Sequence, residues 1–203
     1  MLLSFRYRSL FWACLGSSAL LSACSNSNYN NTATFLNDTT INAVIEIPAG
    51  TSKKIEFYPA TGTFKTDQRN GQDRIIRFLP YPANYGFVPG TLSSSEAGGD
   101  GDALDMLVIS EALATGTVIP VVPIGILRLT DDGEEDFKIV AVPADHRLNH
   151  LGAYRAEDIR NIEQIRQIIT EWFLHYDTDP TTATGWGNRE EALQYIRNNT
   201  RQH

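Results

Sequence analysis

Cysteine is nearly missing from this chain. Its 203 residues include two, Cys14 and Cys24, so nothing beyond residue 24 can enter a disulfide. Histidine is scarce too: His146, His150, His175 and His203 form no ligand-spaced cluster, which leaves a zinc site without support. Positive charge is in deficit, with 17 Lys and Arg against 24 Asp and Glu and a formal net charge of −7. A bulk field of that sign makes a poor nucleic-acid binder. There are no internal repeats.

Long apolar runs are lacking as well. The stretch from about Leu10 is short and broken by Gly16, Ser17 and Ser18, and it follows the basic Arg6 and Arg8. That reads as a secretory signal peptide over residues 1–23, not a membrane span. Leu21-Ser22-Ala23-Cys24 resembles the lipobox of bacterial lipoproteins, in which the cysteine becomes the lipidated first residue. Ser25, not Asp, follows, and by the same resemblance this favours the outer over the inner membrane of the cell envelope, with the domain facing the periplasm. An ordinary secreted protein cut nearby is the alternative. Losing residues 1–23 removes two positive charges, taking −7 to −9. "SNSNYNNTATFLNDTT" is rich in Asn, Ser and Thr, and residues 24–40 read as a flexible tether. About 160 residues remain, enough for one domain with its own core.

The middle of that domain is strand-like. "INAVIEIP", "KKIEFYP", "RIIRFLP", "DMLVIS", "TVIPVVPIGILRLT" and "DFKIVAVP" are rich in Val and Ile and separated by Gly, Pro and Asp clusters. Short strands so spaced suggest a closed antiparallel barrel or a sandwich. After Pro143 the period changes. Ile159, Ile162, Ile165, Ile169 and Phe173 fall at helical spacing, and "NREEALQYIRNN" predicts a second helix capped by Asn188. Strands first and helices last make an α+β arrangement.

"GGDGDALDMLVIS" crowds Asp100, Asp102 and Asp105 against the start of a strand. Carboxylates so close raise one another's pKa unless a cation lies between them, and hard oxygen donors select Mg²⁺, Mn²⁺ or Ca²⁺. A calcium loop fits poorly, because Asp105 stands where an EF-hand requires glycine and a strand follows where it has a helix. A solvated acidic hairpin remains open for the cluster alone. Further acids, Asp131, Asp136, Glu46 and Glu56, lie in or beside other strand segments, with Lys54, Lys138, Tyr81 and Tyr85 near them. Lys54 and Glu56 alternate along one strand and share a face. Acids for metals and bases for phosphate oxygens are what a metal-bridged polyphosphate needs.

Asp100-Gly101-Asp102-Ala103-Leu104-Asp105 matches the signature of the soluble family I inorganic pyrophosphatases, except for Ala103 where proline is usual. "VIEIPAG", "YPANYGFVPGT" and "TDDGEEDFKIVAVP" resemble further blocks of that family in the same order, and the resemblance covers residues 41 to about 199. It implies a small OB-like barrel with C-terminal helices packed outside, and a domain over 41–203. It also implies hydrolysis of pyrophosphate to two phosphates with several Mg²⁺ ions, Mn²⁺ being an alternative. By resemblance Asp100, Asp105, Asp131, Asp136 and Glu56 are metal ligands. Asp102 is the base, with Glu46 behind the attacking water, and Tyr85 completes the catalytic groups from the phosphate side. Lys54, Arg74, Lys138 and Tyr176 would meet the phosphates; Arg74 is preferred over Arg69 and Arg77 by counting back from Tyr81. Membrane attachment would run through Cys24, and a homo-oligomer stays open.

One departure stands out. The family usually has lysine after the tyrosine of the long helix, and here Asp177 follows Tyr176. The expectation is that Asp177 turns to solvent while Tyr176 still reaches phosphate. The alternative is a lipoprotein of this fold that binds metal or phosphate with little turnover.

Overall fold

The computed structural model describes residues 29–94, 99, 101–131 and 133–201. The expected signal peptide, Cys24 and Asp100 lie outside the described residues. Eleven strands are formed among them: β1 (Ile41–Ile47), β2 (Ile55–Tyr58), β3 (Thr63–Thr66), β4 (Gln68–Arg69), β5 (Gln72–Asp73), β6 (Asn84–Phe87), β7 (Asp105–Val108), β8 (Val118–Asp131), β9 (Glu134–Glu135), β10 (Lys138–Pro143) and β11 (Thr181–Gly187). Helices α1 (Ile162–His175) and α2 (Arg189–Asn198) come late in the chain, as the change of period implies.

Seven of the strands form one sheet in the order β1-β6-β7-β10-β8-β11, with β9 on β8. Because β1 also pairs with β8, the five strands β1, β6, β7, β10 and β8 close into a ring. Its pairing is not wholly antiparallel, contrary to expectation: Ile139, Val140 and Ala141 of β10 run parallel to Met106, Leu107 and Val108 of β7. The long connection between these strands, with β8 inside it, makes that geometry available, as two-residue hairpins cannot.

The 14-residue β8 serves β1, β10 and β11 along its length. Its register against β10 shifts between Val140 and Ala141, where a bulge lets the strand bend round the ring. All seven residues of β1 and all six of β10 are buried, so both faces of each strand are covered, with Asn42, Glu46 and Lys138 as their buried polar members. Alternate β10 residues enter different cores. Val140 and Val142 join Ile169, Trp172 and Phe173 of α1. Ile139 and Ala141 join Ala192 and Ile196 of α2. Asn188 caps α2 as expected, accepting from the Glu191 N–H at 2.9 Å.

Three sequence expectations change. "RIIRFLP" is not a strand: Ile75 makes a single bridge with Lys53, and Phe78 and Leu79 are exposed. The long helix starts at Ile162 and does not include Ile159, because Ile159 is extended and Asn161 is left-handed. Residues 29–40 are not a free tether. Tyr29 is buried, Thr34 donates to the Pro89 carbonyl at 2.7 Å, and Phe35 bridges to Ile41. Polar composition concealed the few aromatic and hydroxyl anchors that hold this arm.

β6 was not visible as a strand, and Gly86 explains its composition. A Cβ there would lie 1.9 Å from the Val44 carbonyl oxygen of β1. Only glycine allows β6 so close to its neighbour.

Candidate functional site

Strands of the ring, the β2–β3 hairpin and the end of α1 enclose a cleft of about 360 Å³. It is lined by Glu46 of β1, Lys54 and Glu56 at β2, Tyr85 of β6, Asp102 and Asp105 at β7, Asp131 at the end of β8, Asp136 and Lys138 at β10, and Tyr176 after α1. The ring's register thus brings together residues up to 130 positions apart (176 minus 46).

Lys138 is the hub of the acidic side. It is 4 % exposed, and its Nζ donates to Asp105 Oδ2 and to Asp136 Oδ1. The rings of Tyr85 and Phe173 stand 5.8 and 5.7 Å from it, so the ammonium also meets two π faces. Burial alone would lower the Lys138 pKa; the carboxylates of Asp105 and Asp136 more than reverse this and raise it. Burial pushes Asp136 up against the pull of Lys138. The Tyr85 hydroxyl is raised well above its ordinary value by burial and by the Asp105 and Asp136 carboxylates.

Glu46 lies on the floor. Its Oε1 accepts the Phe57 N–H at 2.6 Å, a bond that ties β2 to β1. Burial nevertheless drives its carboxyl up to about 8, with Asp105 and Glu56 adding to the effect. Asp102 is raised by burial and by Asp105 and Glu56, with Lys54 opposing. Lys54 Nζ stands 3.0 Å from Glu56 Oε1, consistent with their shared strand face. Burial pushes the Tyr176 hydroxyl up to about 12.

Among the described residues, no three His, Cys, Asp or Glu side chains converge into a metal-binding group. The carboxylates are instead spread round the cleft, and a protein ammonium stands between two of them.

Arg74 is not in this cleft. It lines an adjoining cavity of about 260 Å³ that shares Tyr176 with the cleft. Its Nη1 donates to Asp67 Oδ2 at 2.9 Å and its Nη2 to Asp177 Oδ2 at 2.5 Å. Asp177 therefore does not turn to solvent. Its side chain is 18 % exposed, and Arg69 reaches its Oδ1 at 3.4 Å while donating to Asp179 Oδ2 at 2.8 Å. Burial opposes ionisation of Asp177, but the Thr178 N–H, Arg74 and Arg69 prevail and lower its pKa. Arg69 arrives through a two-residue turn, Asn70 at φ 55° and Gly71 at φ 73°, between β4 and β5. Asn-Gly is the favoured sequence for such a turn. Asn70-Gly71 marks the turn in the sequence, but nothing local says what its arginine meets. Glu134 and Glu135 of β9 also line the cleft, and the acidic "GEED" run is their signal in the sequence.

The family profile described as inorganic pyrophosphatase matches residues 43–203. The chain belongs to the inorganic pyrophosphatase family. It is 39% identical over 162 residues to the inorganic pyrophosphatase of Neisseria meningitidis serogroup B, covering 77% of this chain and 85% of that protein. It is 38% identical over 163 residues to the inorganic pyrophosphatase of Sulfolobus acidocaldarius, covering 77% and 87%. The crystal structure of an inorganic pyrophosphatase from Neisseria gonorrhoeae superposes with a TM-score of 0.72 at 34% identity, covering 85% of this chain and 96% of that one. The matched range holds every cleft residue named above, while the arm carrying Tyr29 lies outside it.

Proposed function

We propose that the cleft hydrolyses inorganic pyrophosphate to two phosphates, and that the ring is a small OB-like barrel carrying this site. The observation that supports the reading is the mixture in one cavity: a surplus of carboxylates beside two ammonium groups and three phenols. The donor set fits hard divalent cations, since every acid in it offers oxygen. Asp105, Asp131, Asp136 and Glu56, with Asp100, would hold Mg²⁺ or Mn²⁺. Such ions, when bound, neutralise pyrophosphate and make water more acidic.

The side chains divide the remaining work. Asp102, lifted in pKa by burial and neighbouring acids, takes the proton of the attacking water. Glu46 supports that water from the floor, and Tyr85 orders the same region through Asp105. Lys54, Lys138 and Tyr176 hold phosphate oxygens and stabilise charge as the bridging bond breaks. Arg74 reaches substrate only by giving up Asp67 or Asp177. The low-turnover alternative rested on the charge of Asp177, and that charge is matched by Arg69 and Arg74.

Phosphate release from pyrophosphate by protein lacking residues 1–24 tests the reading. Release that requires Mg²⁺ and stops with a chelator is expected. Tight pyrophosphate binding without release would overturn it.

Attachment to the bacterial envelope through a lipid on Cys24, facing the periplasm, belongs to the same proposal. Leu21-Ser22-Ala23-Cys24 supports it, and no helix among the described residues is long and apolar enough to cross a membrane. Cys24→Ala should shift the chain from the membrane fraction to the soluble one and leave activity intact.

A further inference from the structure

The β2–β3 hairpin is weakly built for what it carries. Among the described residues its strands pair only with each other and not with the ring. Yet β2 and the residue before it bring Lys54 and Glu56 to the cleft. An isolated two-stranded hairpin is marginal in water, so something must fix its position. The Phe57 N–H bond to Glu46 is one tie. Backbone bonds from the Lys54 N–H to the Arg74 carbonyl at 3.0 Å and from the Asp67 N–H to the Lys54 carbonyl at 2.8 Å hold its base, and an aromatic tie at its body comes from outside the range that the family profile covers.

Tyr29 stands at the head of the N-terminal arm and is 6 % exposed. Its ring meets Phe57 of β2 edge-on at 4.9 Å, Phe64 of β3 at 5.7 Å, and Phe87 of β6 at 6.1 Å. Phe57 and Phe87 themselves stack at 5.8 Å and both border the cleft. The Tyr29 hydroxyl donates to the Gly116 carbonyl at 3.1 Å, and the Gly116 N–H donates to Ile45 of β1 at 2.8 Å. One side chain therefore touches both hairpin strands and a ring strand, and it is bonded to the turn that leads into β8. Edge-to-face rings lock orientation as well as burying area.

We propose that Tyr29 is a positioning residue for hydrolysis. The arm wedges its ring behind the β2–β3 hairpin and so holds Lys54 and Glu56 at the cleft. This rests on the pyrophosphatase reading above. Loosening the hairpin withdraws Lys54 from bound pyrophosphate as well as from the transition state, so KM rises and kcat falls much less.

The test uses the full chain with Tyr29→Ala, Tyr29→Leu and Tyr29→Phe. Pyrophosphate hydrolysis at saturating Mg²⁺ is read beside amide hydrogen exchange. Tyr29→Ala is expected to raise KM about tenfold with kcat held within about twofold, and to speed exchange in β2–β3 while α1 stays protected. Tyr29→Leu should give a smaller change of the same kind, and serves if the alanine variant does not fold. Tyr29→Phe keeps the ring and should stay within about twofold of the parent. Unchanged KM in the alanine and leucine variants, with unchanged β2–β3 exchange, would overturn the proposal. So would faster exchange throughout the domain with KM unchanged, the mark of a merely structural role. A parent chain without activity would sink the pyrophosphatase reading, and the exchange comparison would still decide whether Tyr29 fixes the hairpin.

Discussion

On the β7–β10 side of the cleft, Asp105 and Asp136 flank a single buried ammonium, with Asp102 and Asp131 nearby. At the β4–β5 edge, Arg69 and Arg74 alternate with Asp67, Asp177 and Asp179, each guanidinium touching two carboxylates. Both regions are dense in charge, but they differ in what they still need. The first holds more acids than the protein supplies cations for, in a partly desolvated cavity where like charges repel strongly. The second nearly matches itself. A surplus that must be met from solution marks a reacting site, and a self-matched lattice marks a frame.

Asp102→Asn breaks the acidic side where the reaction is proposed to occur. Turnover should fall by about 10²–10⁴-fold, with thermal stability close to that of the parent. Near-normal turnover at neutral pH would move the base to another carboxylate. Lys138→Met asks how far the surplus depends on its one internal cation. Leaving Asp105 and Asp136 without the buried partner should destabilise the chelated protein by about 3–5 kcal/mol, read by denaturant unfolding. Added Mg²⁺ should restore more stability to this variant than to the parent. An equal gain in both would show that the surplus is not what draws the metal.

Glu46 tests the same surplus through pH. Its folded pKa of about 8 lies above the ordinary 4.5 because burial disfavours its charge. Between those values the folded state holds more protons than the unfolded one, so this group makes stability fall as pH rises from about 5 to 8. Glu46→Gln should flatten that part of the melting-temperature profile in chelator. A parent profile that rises across the same window would contradict the assignment.

The balanced edge should respond least. Arg74→Ala, Asp177→Ala and the double variant should give a coupling energy on the order of 1 kcal/mol, as for other partly exposed pairs. Asp177→Lys places a third cation beside two arginines. It should cost stability on a similar scale and change KM for pyrophosphate only a few-fold. A gain in catalytic efficiency of several orders of magnitude would mean that the lattice obstructs the site.

The uneven legibility of the chain follows from where interactions are local. β1, β7, β8 and β10 announce themselves because strands largely covered on two faces are rich in aliphatic residues. β11, "TTATGWG", does not, since it pairs only with β8 and is largely exposed. Its threonines and glycines read as loop. The acids of the cleft could be named from their spacing and from the family blocks, and the ring brings Glu46, Asp102, Asp105, Asp131 and Asp136 to one cavity. The Arg69–Asp177 contact spans 108 positions and depends on a hairpin meeting the end of a helix. No local pattern encodes such a meeting. The same holds for Tyr29, whose polar neighbours disguised a residue with three aromatic partners.

That arm also bears on symmetry. Five residue steps separate Cys24 from the anchored Tyr29, a reach of at most about 18 Å. A lipid on Cys24 would hold the domain close to the bilayer, with the face around Tyr29 turned towards it. Dihedral assemblies place copies of any surface point on opposite sides of the particle, whereas cyclic ones keep all copies on one side. Were every subunit of an assembly anchored by so short an arm, a ring whose axis stands along the membrane normal would satisfy all the anchors at once. The length of the arm would then choose the point group before any subunit interface does.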